Sequence, residues 1–472
     1  MRKKSATPRP GASGTWCCGA TIALAMALPA CVRPLPDAAL TLDPDMVTRA
    51  TLHLDAPYAI TAHATWGDEG SDPSTWLSSA EISGSNLDFN LYLHAGVSSS
   101  YQIVGVDDAG RAVQTPLAKV TTDDLPSGIP SFDSTIDVTL AGLGPYLLTS
   151  AISAVPGDTI VMIVTTDGRP VWYWQPGDGV VPAARYDAVT GQIYGTGFDE
   201  RSGAYAYVFT LPIAGPGVKP TKTEVDWAHH DAVMLDDRAD ESSIGTIAVP
   251  VTVFQDVTVD GTTQSVAGDE VVEVAADGSQ TTVWSAFDHL TPAVDDSWNI
   301  SPFPSHQPDW THANGLYYDP SEAAYYLSLW GPHQVVKIDR ATGETVWNMG
   351  GPENEFDFGT DAGFGPQHAP DFSNGKLRIF DNRNATLGSR ACEYTVNENA
   401  RTATLDWSFS PDTTQWALVL GDVNVRDDGS HLLGWGSSGD IFSVDADNHL
   451  AGFLALSKAL AIGQVTEIAV LP

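Results

Sequence analysis

The sequence predicts an all-β protein, a six-bladed β-propeller preceded by a small N-terminal β-sandwich. Three observations carry this. The chain is rich in turn formers and tryptophan, with Gly 43, Pro 31 and Trp 14, and long apolar patterns of helical period are few. At 472 residues it is too long for one ordinary core, so at least two domains are expected. From about residue 150 onward a cycle of strand, acidic or Gly turn, strand and Trp recurs every few tens of residues, as propeller blades do.

The first 30 residues stand apart. Arg2, Lys3, Lys4 and Arg9 precede an apolar run from Gly19 to Ala30. A basic start, a short apolar segment and small residues before a cysteine read as a secretory signal, and the run is short for a membrane span. Leu28-Pro29-Ala30-Cys31 resembles a bacterial lipobox, although Pro29 fits it imperfectly. On that reading residues 1–30 are a lipoprotein-type signal peptide and Cys31 is the lipidated first mature residue. The protein would then be periplasmic or at the cell surface, held to the outer membrane by that lipid. Plain cleavage near Cys31 is the alternative. Cys17, Cys18 and Cys31 belong to this segment, which leaves Cys392 alone in the folded part. No intrachain disulfide is expected, and a CxxC zinc site is excluded.

The formal net charge is −36, and four of the 23 basic residues lie in the first 30. A field of this sign argues against nucleic acid and anionic membrane surfaces as partners, and serves solubility. No Asp-x-Asp-x-Asp-Gly loop for calcium is present, and the sequence does not decide whether Ca²⁺ binds.

Residues 38–148 alternate apolar and polar positions in short runs, such as Ala50-Thr51-Leu52-His53-Leu54 and Leu87-Asp88-Phe89-Asn90-Leu91, separated by turns at about ten-residue spacing. That is the pattern of a small immunoglobulin- or fibronectin-like sandwich. Asp123 to Asp137, with Pro126, Gly128 and Pro130, reads as a linker or edge. Residues 150–472 then repeat longer cycles. Ile160–Val164, Asp167-Gly168 and Val171–Trp174 form one; Val271–Val274, Asp277-Gly278 and Trp284 another; Val335–Ile338, Thr342-Gly343 and Trp347 a third. A period near 50 residues gives six blades over this span. A repetitive sandwich is the structural alternative.

Three histidine frames mark the second half: Asp226-Trp227-Ala228-His229-His230-Asp231, Asp309-Trp310-Thr311-His312-Ala313-Asn314 and Pro366-Gln367-His368-Ala369-Pro370-Asp371. His312 and His368 are 56 residues apart, whereas His229 and His312 are 83 apart, which implies an insertion around Pro250–Ala267. The first strand of each blade lines the central channel, so a His at its head in successive blades aims several imidazoles at one mouth. The Asp-Trp pairs could equally be packing motifs, with Trp buried and Asp capping a turn. His289, His306, His431 and His449 are assigned no role. Two chemistries use such a cluster. Zinc bound by three imidazoles is one. The other is nucleophilic attack by a neutral imidazole on sulfur or phosphorus, with neighbouring His or Arg holding the equatorial oxygens and protonating the leaving oxygen. No Gly-x-Ser-x-Gly elbow or Walker loop competes.

The run Asp309 to Pro320, continued by His333-Gln334-Val335-Val336-Lys337-Ile338-Asp339 and Thr342 to Gly351, resembles the bacterial arylsulfate sulfotransferases. Gln367-His368 with Asn374 to Asn382 resembles the next motif block, His229-His230-Asp231 an upstream one, and Gly421-Asp422-Val423 to Gly434-Trp435-Gly436 a downstream one. The resemblance covers most of residues 220–440, in order. It implies a six-bladed propeller behind a sandwich, export, and sulfuryl transfer from a phenolic sulfate ester to a phenol without a nucleotide sulfate donor or other cofactor. The family's transiently sulfated nucleophile falls on His368, and its supporting histidines on His312 and on His229 or His230. Asn314 would hold a ligand or orient His312, and His333, Asn382 and Arg383 would line the substrate site. No metal is implied.

One departure matters. Well-studied members carry Arg immediately before His-Gln, where this chain has Pro332 before His333-Gln334. A fixed cation for sulfate oxygens is missing, and Arg383 is the candidate substitute, with a surface role as its alternative. Two rival readings remain: a non-enzymatic cell-surface propeller binding a ligand or protein partner, and a metal-dependent hydrolase using the same histidines. The sequence leaves the oligomeric state open, a homodimer included.

Overall fold

The computed structural model describes residues 32–133, 143–153, 159–177, 179–198, 205–215, 217–259, 261–292, 307–411, 415–457 and 460–472. The signal-peptide and Cys31 expectations lie outside them, as does His306.

Alternation in the N-terminal region becomes an eight-stranded sheet built on one long strand, Arg49–Asp68. Its first part pairs with Ala39–Leu42 and Ile82–Tyr92, and its second part with Ser98–Asp107. The register against Ile82–Tyr92 shifts between Asp55 and Ile60, where Pro57 cannot supply a ladder N–H. Leu52, Leu54, Ala62, Ala64 and Trp66 are buried at alternate positions, and their core continues into Tyr146, Trp172 and Phe209 of the next region. Arg49 Nη1 donates to Ile213 O at 2.8 Å and Tyr92 Oη to Pro472 O at 3.1 Å, tying the two regions together.

Among the described residues five four-stranded antiparallel sheets and one of five strands follow, arranged as a six-bladed propeller. Blade 1 takes its innermost strand, Ala461–Ile468, from the C-terminal end and pairs it with Tyr146–Ile152. The ring is thus closed by hydrogen bonds between the two ends of the repeat region. Phe132–Asp133, in the segment read as a linker or edge, pairs with the outer strand of blade 6. The other innermost strands are Ala184–Asp187, Val233–Met234, Ala313–Asp319, Gln367–Ser373 and Asp422–Val425, in blades 2 to 6. The extra spacing between His229 and His312 includes a hairpin of two 13-residue strands, Ile247–Val259 and Thr262–Val274.

Polar groups tie neighbouring blades around the channel. Arg185 donates twice to Asp231 (3.1 and 3.0 Å), Leu316 N to Asp231 (3.0 Å), Asn314 Nδ2 to Gln367 O (2.6 Å) and Val465 N to Asp422 (2.9 Å). Farther out the sheets diverge, and the recurring Trp of the sequence cycle fills the widening gap. Trp284 packs between blades 3 and 4, and Trp347 between blades 4 and 5 against Phe356 (ring centroids 5.1 Å) and Phe372 (6.3 Å). Trp347 is fully buried, so Trp347→Ala is expected to cost about 3–5 kcal/mol in denaturant unfolding. Among the described residues Cys392 is a buried free thiol, and no helix is long and apolar enough to cross a membrane.

Candidate active site

The histidines of the three frames stand where the chain runs into the innermost strands of blades 3, 4 and 5. His230 and His312 take left-handed backbone angles (φ 57° and 45°), as does Ala369 directly after His368 (φ 48°). Each costs an L-residue about 1–2 kcal/mol, and the surrounding blade fixes it, which sets where each imidazole points.

His312 Nδ1 lies 2.6 Å from the buried Asp309 carboxylate. A carboxylate can only accept, so Nδ1 carries the proton and Nε2 is left for a ligand. Burial opposes charge on this ring, but Asp309 and then Asp269 outweigh it and raise its pKa. Asp309 therefore does more than cap a turn, whereas Asp226, its counterpart in the first frame, is exposed.

His229 and His230 meet through their Nδ1 atoms at 2.7 Å, and His229 Nε2 lies 3.0 Å from Asp269. Asp269 also accepts from Thr311 Oγ1 (2.6 Å), Ala313 N (2.6 Å) and Thr252 Oγ1 (3.2 Å). Burial alone would raise its pKa; the bonds from His229, Thr311 and Ala313 hold it below the usual carboxylate range. Protons then follow in sequence. His229 carries its proton on Nε2 toward Asp269, and with His229 neutral its Nδ1 accepts from His230 Nδ1–H. The Nε2 of His230 remains. Burial, then His312, His229 and His368, push the His230 pKa well below 6.5. The sequence left the choice within this pair open: His230 lines the cavity and His229 stands behind it.

His368 is almost fully buried. Its Nδ1 is 2.8 Å from Asn382 Oδ1, and Asn382 Nδ2 is fixed by the carbonyls of Ala417 (2.8 Å) and Leu420 (2.9 Å). The amide orientation makes His368 Nδ1 the protonated nitrogen and Nε2 the lone pair. Leu420 N–H donates to that lone pair at 3.1 Å. Burial, assisted by His312, pushes the pKa of His368 down to about 3 despite the bond to Asn382. This ring is neutral at any ordinary pH.

His230, His312 and His368 share one cavity of about 550 Å³, within the range of small-molecule sites. Its walls include Phe198, Trp330, Val180, Pro182 and Val419, and no Lys or Arg is among the described residues that line it. Trp330 meets His312 edge-on at 5.7 Å, and Phe198 stacks on His230 at 5.9 Å. Below lies a pocket of about 10 Å³ bordered by His230, His368 and Asn314, roughly the space of one water molecule. Asn314 gives Nδ2 to Gln367 O and makes no hydrogen bond to His312; its buried Oδ1 has no partner and is available to the site.

Three expected substrate contacts are placed otherwise. His333 does not line the cavity; the residue of that turn which does is Trp330, and His333 feels Asp381 instead. Asn382 spends its amide on His368 and two carbonyls, so it orients the ring. Arg383 donates to Asp381 at 3.2 Å, a carboxylate shared with Arg390, and is likewise absent from the cavity wall. Asp269, Trp330, Phe198 and Leu420 were not expected as site residues. Asp269 sits within the inserted hairpin, outside any repeated frame, and Leu420 acts through its backbone. Trp330, in Leu329-Trp330-Gly331 before a turn, was the one with a readable signal. Among the described residues no group of three His, Cys, Asp or Glu side chains is arranged to hold a metal ion.

Fold and site together define a propeller with three imidazoles gathered around one cavity. Residues 228–451, from the residue before the His229-His230 pair into the last blade, match the arylsulfotransferase family. Sulfotransferase is accordingly the enzyme class. No curated protein sequence matches the chain. Among solved structures, it is similar at 11% identity to a chain in a nidogen/laminin complex (TM-score 0.40, covering 69% of this chain and 99% of that one). It is also similar at 11% identity to a protein of unknown function from Bacteroides caccae (TM-score 0.43, 68% and 98%) and to a streptogramin B lyase (TM-score 0.38, 72% and 97%). Likenesses this distant carry no argument.

Proposed function

We propose that the protein moves a sulfuryl group from a phenolic sulfate ester to a phenol through a sulfated His368, without a nucleotide sulfate donor. The observation that carries this reading is a neutral buried imidazole whose one unprotonated nitrogen borders the cavity, beside a second imidazole made basic by a carboxylate. In the first half-reaction the Nε2 lone pair forms an N–S bond as the S–O bond to the aryl group breaks. His312, protonated through Asp309, places positive charge beside the sulfuryl oxygens and gives its proton to the departing phenolate. In the second half-reaction an acceptor phenol attacks the sulfur and His368 leaves. The hydrogen bond from Leu420 N–H must be released first; at a net worth of about 0.5–1.5 kcal/mol it slows attack by roughly tenfold at most.

With no Lys or Arg among the described cavity residues, His312 carries the burden of charge. Donor turnover is therefore expected to hold below the raised pKa of His312 and to fall as pH rises through it. No matching acid limb is expected from His368 until near pH 3. A pH series of kcat/KM with a chromogenic aryl sulfate checks this, and a flat profile through neutrality would contradict it. The same lack of cations favours the second reading, a propeller that only binds a ligand; a folded protein with no turnover over a broad phenol panel would support it. Export with a lipid on Cys31 belongs to the proposal, and loss of membrane association in Cys31→Ser tests it.

A further inference from the structure

We propose that Asp269, His229 and His230 form a proton relay for the acceptor phenol, with His230 touching the substrate and His229 and Asp269 as positioning residues. This rests on the sulfuryl-transfer reading and deepens it. Three observations carry it: the 2.7 Å contact between the two Nδ1 atoms, the 3.0 Å contact of His229 with Asp269, and the position of His230 on the cavity wall with His229 behind it.

The phenol O–H bond breaks as its oxygen bonds to sulfur, and the N–S bond electrons return to His368 Nε2. The phenol proton goes to His230 Nε2. His230 releases its Nδ1 proton to His229 Nδ1, so the positive charge rests on His229 against Asp269. Before the next donor is cleaved the relay releases this proton to solvent and His312 takes back the one it gave to the departing phenolate, so both return to their starting states. The surroundings favour this distribution. His230 is buried and faces His312, His229 and His368, so a cation there would be poorly solvated and repelled. One ring farther out it meets a carboxylate already fixed by Thr311, Ala313 and Thr252. His312 has its own partner, Asp309, and the Arg185 guanidinium is occupied by Asp231. The site thus holds one imidazole kept charged and one kept neutral, the separation that acid–base work requires.

His229→Gln tests the relay, because it leaves the Asp269 tie between blades 3 and 4 in place; Asp269→Asn is the companion variant. Sulfation of His368 by 4-nitrophenyl sulfate, whose leaving group needs little protonation, is expected to proceed nearly as in the parent. Discharge of the sulfated enzyme to phenol is expected to fall about 100-fold, and discharge to the more acidic 4-nitrophenol far less. Equal losses for both acceptors, or none, would overturn the relay. ¹⁵N-histidine NMR of the substrate-free protein reads it independently of activity. His230 should carry its proton on Nδ1 and His229 on Nε2 at neutral pH; a His230 protonated on Nε2 at neutral pH would overturn it. Absence of any sulfated parent enzyme would instead defeat the sulfohistidine reading, with the NMR still deciding the relay.

Discussion

His368→Asn is expected to lower aryl sulfate turnover by at least about 10⁴-fold, the scale of losing a nucleophile, and to keep the fold. The side-chain amide of Asn can still donate to Asn382 Oδ1, so the interior bond is replaceable while the Nε2 lone pair is not. Stability should respond in the opposite direction. The folded state holds this imidazole neutral, with its pKa pushed down to about 3, whereas the unfolded chain takes up a proton below about pH 6.5. His368 therefore withdraws stability as pH falls from 6.5 toward 3. The Asn variant should show a shallower loss of stability over that window, measured by denaturant unfolding at several pH values. A variant that lost activity only because it failed to fold would show the reverse.

Asp309→Asn is expected to lower kcat/KM for the donor by about 10²–10³-fold and to shift the falling limb of the pH profile to lower pH. The carboxylate is what raises the pKa of His312 against its burial, and no Lys or Arg among the described cavity residues can take over the charge. Asn at this position accepts a hydrogen bond from Nδ1 but stabilises no imidazolium. A loss of the same size at every pH would show that Asp309 acts by position alone. His312→Gln should lose at least as much and show no limb in that region.

Much of the architecture was readable because propeller blades repeat locally. The Asp-Gly turns at Asp167-Gly168 and Asp277-Gly278 and the Trp at 172, 284 and 347 each report a hairpin and its outer strand. The closure of blade 1 by Ala461–Ile468 was not readable, since pairing strands some 300 residues apart leaves no local pattern. The histidine frames placed His230, His312 and His368 in one cavity for the same reason that they repeat: each heads an innermost strand. Frame logic failed where the chemistry depends on a side chain's partner. His333 and Arg383 were chosen by adjacency to a motif, yet the first does not line the cavity and the second is held by Asp381. Asp269 reaches the site from an inserted hairpin, and only three-dimensional contact reveals it.

The central claim is a sulfuryl group carried covalently on His368. Incubation of the parent protein with an aryl sulfate and no acceptor, followed by intact-mass and peptide mass spectrometry, tests it most directly. The account predicts one equivalent of released phenol and a mass gain of one SO₃ group on the peptide containing His368. That gain should be stable in base, lost in acid, discharged by added phenol and absent in His368→Asn. Steady turnover with no such adduct, or an adduct on another residue, would contradict it.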